Sequence, residues 1–159
     1  MSLMPATDPP PTADQAERRR WMGILARASA EDITQRLATL PGPAPTHARL
    51  RGPETGLVMV RGRAGGDGAP FNLGEMTVTR CAVRLPDGRV GHAYVAGRDA
   101  RQAELAALLD AMLLNEAARP ALDAAVIAPL AAAQTARREV EARRAAATRV
   151  QFFTMTQMR

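Results

Sequence analysis

The sequence predicts an α+β fold in which a helical N-terminal segment and C-terminal helices enclose a central, mainly antiparallel β-sheet, followed by an extended tail. Two observations predict it. Apolar residues recur at helical spacing near both ends of the chain, and strand-like apolar runs separated by turn residues fill the middle. Helices placed around a block of strands are typical of two-layer α+β domains. A length of 159 residues fits one such domain.

The domain boundaries follow from changes in composition. Residues 1–11 are rich in proline and polar side chains and predict a disordered leader. Residues 12–147 carry the apolar periodicity and form the single α+β domain. Residues 148–159 are predicted to be a C-terminal docking tail.

The first two elements are predicted to be amphipathic helices. The first runs from about Ala13 to Ala28, with Thr12 or Asp14 as its N-cap. The second begins after Ser29, which together with Asp32 resembles a capping box. The proline-rich residues 41–45 then end the helical region, because proline lacks the amide proton that a helix needs.

Three strands are predicted in the middle of the chain, at residues 56–63, 75–85 and 90–96. In the second strand the apolar phase changes between Val78 and Cys81, which predicts a β-bulge near Thr79 and Arg80. The second and third strands are joined by residues 85–88, Leu-Pro-Asp-Gly, a typical hairpin turn.

The C-terminal third is predicted to be helical. Asp99 is a candidate N-cap for a helix with an apolar stripe from Leu105 to Leu113. Pro120 marks the start of the next helix, and Pro129 is expected to kink or divide it before the helical pattern ends near Ala147.

Charge and composition restrict the function classes. The net charge is +5, and all 21 basic residues are arginine, so only local arginine clusters are informative. Nucleic-acid binding is disfavoured because aromatic side chains for base stacking make up only 3% of the chain. A single cysteine, Cys81, excludes an internal disulfide and a cysteine metal cage, and it fits a reducing cytoplasm. Charged residues interrupt every long apolar run, so we expect no membrane association.

One segment has the composition of an anion site. Backbone amides of a glycine-rich loop can converge on an anion, and flanking arginines add donors. The alternative is a flexible hairpin loop, since the segment lacks the ending of a phosphate-binding loop and does not open a predicted helix. The candidate residues are Arg61, Arg63, Gly65, Gly66 and Gly68.

Other candidate residues have competing interpretations. His92 is a candidate general base or metal ligand, but a lone histidine in a sheet is more often structural. Cys81 lies in an apolar strand and is expected to be buried and inert. Glu54 and Glu75 form either an acid–base pair or ordinary salt bridges, and the salt bridges are favoured. No catalytic residue and no metal site is assigned.

The tail carries two of the three phenylalanines of the chain after a polar helix. Exposed apolar residues indicate docking onto a partner, including a second copy, whereas folding back onto the domain is the alternative. The candidate docking residues are Phe152, Phe153 and Met155.

Several segments of the chain resemble the PhnG family, the G subunits of the carbon–phosphorus lyase core complex. The longest are residues 51–63 and 65–81, and residues 91–95, 97–99, 20–22 and 152–155 extend the resemblance. It implies a bacterial cytoplasmic complex with H, I and J subunits, which transfers an alkylphosphonate to C1′ of the ribose of ATP and releases adenine. The chain alone is then expected to be inactive as an enzyme.

The resemblance also bears on ligands and partners. ATP and phosphonate are expected to be substrates of the complex, with no cofactor bound by this chain, since one thiol is too few for an iron–sulfur site. Two anionic substrates make Arg61, Arg63 and Arg80 candidates for holding them. The rival hypothesis is a noncatalytic homo-oligomeric scaffold or assembly protein, and self-association of the isolated chain is expected through strand edges or the tail.

Overall fold

The structure, a computed structural model, describes residues 10–63 and 68–148. Its α+β architecture confirms the predicted fold class. Helices α1 and α2 precede a three-stranded sheet, and helices α3 to α5 follow it. The elements are α1 Ala13–Leu25, α2 Ala30–Leu37, β1 Ala48–Gly62, β2 Phe71–Arg84, β3 Val90–Ala96, α3 Ala100–Leu113, α4 Arg119–Leu122 and α5 Ala128–Ala147.

Side-chain caps set the starts of the first helices. The Thr12 hydroxyl accepts the Gln15 amide proton, and the Gln15 side chain accepts in return from the Thr12 amide, so the full capping box belongs to α1. The predicted box at Ser29 is only half formed. Ser29 caps α2 through the amide of Asp32, but the Asp32 carboxylate instead accepts from Arg137 of α5 at 2.9 Å.

The predicted division of the last helix at Pro129 is confirmed. Between α4 and α5 the backbone forms one wide π-helical turn, Asp123–Ile127, in which the Ala128 amide bonds to the Asp123 carbonyl five residues earlier. Pro129 then lies in the first turn of α5, directly after this wide turn. A single π-helical turn is a known form of irregularity within an α-helix.

The sheet is antiparallel with the strand order β1-β2-β3. The predicted turn joins β2 to β3, with Gly88 at φ 91° and its amide donating to the Leu85 carbonyl at 2.9 Å. Strand β1 begins at Ala48, eight residues before the predicted start. The prediction missed these residues because the first part of the strand is polar and shows no apolar alternation. Pro53 is tolerated there because β1 is an edge strand.

The predicted β-bulge near Thr79 and Arg80 is wrong. Strand β2 pairs with β3 in unbroken register from Val78 to Arg84, and the irregularities beside this segment lie in β1, between Arg49 and Glu54. The apolar residues change phase in the sequence, but the strand does not, since Val78 is buried on the face opposite to Cys81 and Val83. Thr79 is buried and continues the inward-facing row, with its hydroxyl donating to the Gly97 carbonyl at 2.8 Å.

The core lies between the inner face of the sheet and the helices. Helix α3 covers β2 and β3, α1 and α2 pack against α3, and the π turn packs against α1 and α2. The closest approach is at Gly91 of β3, where an added Cβ would lie 2.0 Å from the Ala107 carbonyl oxygen of α3. Only glycine therefore allows strand and helix to pack at this distance.

Candidate functional site

A buried carboxylate fixes the position of α1 relative to the sheet. Asp110 of α3 is fully buried and accepts four hydrogen bonds. Arg18 donates two of them, from Nε at 3.1 Å and Nη2 at 2.7 Å. The Trp21 indole donates at 2.8 Å and the backbone amide of His92 at 2.9 Å. Asp110 thereby links α1, α3 and β3 at one point.

The elements joined by Asp110 enclose a cleft between α1 and the edge strand β3. Its volume is about 430 Å³, and Arg18 and Arg19 lie on its α1 side. His92 and Tyr94 form its β3 side, and both side chains are exposed. The charge of Arg18 is balanced by Asp110. Arg19 therefore supplies the positive charge of this cleft.

A second cleft lies on the outer face of the sheet and shares His92 and Tyr94 with the first. The two clefts form one continuous surface across β3, here called the basic groove. Its polar side chains are Gln15, Arg18, Arg19, Arg51, Arg80, His92 and Tyr94.

Ion pairs on the outer face organise the arginines of the groove. Arg80 lies opposite Glu54 in the register and bonds to its carboxylate at 3.0 Å, while Arg51 lies 3.4 Å from the same carboxylate. The hydrogen bond that Arg80 donates to Glu54 raises the pKa of Arg80, with a smaller contribution from Tyr94, so Arg80 stays a cation. Two cations share one carboxylate here, which leaves a positive face.

The structure separates the predicted anion-binding residues. Arg61 pairs with Asn72 near the end of the β1–β2 hairpin, and Arg63 and Gly68 lie next to the loop, all of them exposed. Arg80 lies eight residues from Asn72 along β2, about 25 Å at the usual rise of a strand. Gly65 and Gly66 lie outside the described residues. Anion binding at the loop stays a prediction, but Arg80 belongs to a different surface.

The register also decides between the two interpretations of the glutamates. Glu54 pairs with Arg80, whereas Glu75 pairs with Met59, five residues further along β2. That spacing is about 16 Å, too far for an acid–base pair. The favoured salt bridges of Glu54 are therefore confirmed.

The structure bears differently on the predictions for His92 and Cys81. The His92 imidazole is exposed and lines both clefts, while its backbone amide donates to Asp110, so both interpretations of this side chain stay predictions. Cys81 is buried as predicted and its thiol donates to the Arg51 carbonyl at 3.4 Å. Burial raises the pKa of this thiol, with a further contribution from Glu104, which makes it a poor nucleophile.

Sequence reasoning missed Asp110 and the α1 side of the groove. The available signal was a carboxylate inside the apolar stripe of α3, since a charged residue on a buried helix face needs a partner. In the described ranges, no group of three or more histidine, cysteine, aspartate or glutamate side chains is arranged to hold a metal ion. The docking candidates Phe152, Phe153 and Met155 lie outside those ranges.

A second feature is the outer part of the β1–β2 hairpin, residues 56–62 and 71–77, here called the hairpin arm. Strand β3 ends opposite Val78, so these residues extend beyond the three-stranded sheet. The arm carries six of the nine exposed large apolar side chains in the described ranges. They are Leu57, Val58, Met59, Phe71, Leu73 and Met76.

An exposed apolar arm of this kind is typical of a subunit that assembles with another protein. The chain belongs to the family of the phosphonate metabolism protein PhnG, whose family model matches residues 16–157. This confirms the resemblance seen in the sequence.

A relative from Rhizobium meliloti (strain 1021) is 44% identical over 153 residues, which cover 96% of this chain and 97% of that protein. It is named alpha-D-ribose 1-methylphosphonate 5-triphosphate synthase subunit PhnG. In the part of the chain that the structure describes, no helix is long and apolar enough to cross a membrane.

Proposed function

We propose that this chain is the G subunit of an alpha-D-ribose 1-methylphosphonate 5-triphosphate synthase and acts in phosphonate catabolism within a cytoplasmic complex of H, I and J subunits. The observation that carries the proposal is the 44% identity to a synthase subunit along almost the whole of both chains. ATP and a phosphonate are the substrates of the complex, and this chain binds no cofactor of its own.

The reaction joins two anions. An oxygen of the alkylphosphonate forms a bond to C1′ of the ribose of ATP while the bond from C1′ to the adenine nitrogen breaks, and adenine leaves with that electron pair. Water competes with the phosphonate as the nucleophile, and the negative charge of the triphosphate repels the phosphonate. A surface that holds both anions and excludes water addresses both difficulties.

The basic groove is the part of this chain best suited to that task. Arg19, Arg51 and Arg80 supply three positive charges against the single charge of Glu54, and arginine binds phosphoryl oxygens through paired donors. In this proposal the groove holds the phosphonate or the triphosphate next to the active site of a partner subunit. Arg61 and Arg63 remain candidates for a separate contact at the hairpin loop.

Reconstitution tests the proposal. Purified I and H subunits, with any accessory protein they need, are incubated with ATP and methylphosphonate, and adenine and the phosphonate-containing product are measured with and without this chain. We expect transfer product only when this chain is present and hydrolysis in its absence. Identical product ratios would support the alternative, a noncatalytic homo-oligomeric scaffold or assembly protein.

Substitution of Arg80 tests the groove. In the assembled complex, Arg80→Ala is expected to raise the KM for methylphosphonate or ATP about tenfold, the effect of one charged hydrogen bond. Arg143→Ala, at an exposed position in the distal half of α5, is the matched control and is expected to leave both KM values unchanged. Equal kinetics for the two variants would remove the groove from the proposal.

A further inference from the structure

Among the described residues, the hairpin arm is a two-stranded ribbon with both strand edges open. β1 is an edge strand of the sheet, and β3 ends opposite Val78. The last bond on this edge of β2 is the one that the Gly97 amide donates to the Thr77 carbonyl, so the edge is unpaired along residues 71–76. Within the described chain, no third strand covers the arm. Two-stranded ribbons are at best marginally stable in water, and open edges readily pair with another chain.

The arm is apolar on both faces. Leu57 and Met59 lie on one face and are 63% and 53% exposed. Val58 lies on the opposite face, where its register partner is Met76, which is 42% exposed. A flat docking surface would cover only one of these faces. Burying both requires a cleft, or two walls, of a partner.

A β-bulge shapes the end of the arm. Val60 pairs with Gly74 and Arg61 with Asn72, so Leu73 is the extra residue. The Leu73 side chain lies over Gly62, where an added Cβ would lie 2.3 Å from Leu73 Cδ1, and it remains 55% exposed. The bulge therefore presents another apolar side chain near the end of the ribbon.

Charge argues against a second copy of this chain as the occupant. The end of the arm carries Arg61 and Arg63, and its base carries Arg51 and Arg80 with only Glu54 between them. Antiparallel pairing of two arms would bring the cationic end of one near the cationic base of the other. A partner with carboxylates at those positions avoids this repulsion.

We propose that the hairpin arm inserts into an apolar cleft of another subunit of the synthase, which pairs a strand with the outer edge of β1 and places carboxylates beside Arg61 and Arg63. Main-chain pairing supplies affinity, and the alternating apolar side chains supply specificity. The inference rests on the proposed function, since it names the surface by which this chain enters the complex.

The test compares matched variants. The double variant Leu57→Asp/Met59→Asp adds two charges to the arm, and Val140→Asp adds one to an exposed apolar position on α5. We expect both to melt within about 2 °C of the unmodified chain, because exposed positions outside the core affect stability little. Binding to the purified H–I–J assembly is expected to weaken at least 100-fold for the arm variant and less than threefold for Val140→Asp.

Hydrogen exchange of the unmodified chain provides a reading that does not depend on variant folding. The β1 amides of residues 56–62 are expected to exchange at least tenfold more slowly in the complex than in the free chain. If the unmodified chain binds but the arm variant binds equally well, or if these amides gain no protection, the arm is not the docking surface.

Two further outcomes separate a failure of the proposed function from a failure of the inference. Failure of the unmodified chain to bind the assembly would overturn the proposed function itself. A concentration-dependent dimer of the isolated chain that the arm variant loses, with binding to the assembly unchanged, would identify a second copy as the occupant and overturn the inference.

Discussion

Replacing Asp110 by alanine is expected to destabilise the protein more than any other single removal of a charge described above. The substitution leaves the Trp21 indole and the His92 amide without their acceptor, each at a cost of about 1–3 kcal/mol. The Arg18 guanidinium also loses its partner, but it is 33% exposed and regains water, so its share is about 1 kcal/mol.

The sum is a loss of about 5 kcal/mol in the free energy of unfolding, a large part of the 5–15 kcal/mol typical of a domain. At about 3 °C per kcal/mol for a chain of this length, Tm falls by about 15 °C. Urea unfolding followed by the fluorescence of Trp21, the sole tryptophan, measures the free energy directly.

Asp123→Ala is the matched control. Asp123 also pairs with an arginine of α1, Arg20, but both side chains are substantially exposed, and such pairs contribute at most about 1 kcal/mol. If Asp110→Ala destabilises no more than Asp123→Ala, the buried carboxylate does not hold α1 to the sheet and the reasoning fails. Asp110→Asn is expected to lie between the two, because an amide keeps one acceptor oxygen.

Three further predictions concern other parts of the fold. The hydrogen bond from Arg49 lowers the pKa of Glu104; burial opposes this effect and a hydrogen bond from His47 adds to it. The ionised Glu104 therefore stabilises the fold fully above about pH 4.5, and this stabilisation is lost as the pH falls through the lower pKa of the folded state. Glu104→Gln should therefore flatten the acid limb of a stability–pH curve, and an unchanged limb would contradict this. Gly91→Ala should prevent native packing and give little folded monomer on size exclusion, whereas Gly56→Ala, with open space around it, should fold normally. Cys81 should react with a thiol reagent at least 100-fold more slowly in the native protein than in urea, and equal rates would show that the thiol is accessible.

Local chemistry was sufficient for the caps, turns and helix breaks. Thr12, Ser29 and Asp99 cap the helices at the predicted positions, and Pro129 divides the last helix. Each of these features depends on side chains within about four residues in sequence, so the sequence specifies them directly. The extent of β1 was underestimated because its polar half is held by pairing with β2, which leaves no periodic signal.

The sequence by itself determined the α+β class, the order of its elements and, through long shared motifs, the family. Only the tertiary structure decided which residues meet. Arg18 and Asp110 are 92 residues apart in sequence yet in contact, while Arg80 lies far along the strand from Arg61. The physical reason is that strand register and helix packing bring distant residues together, and composition and local spacing carry no record of that pairing.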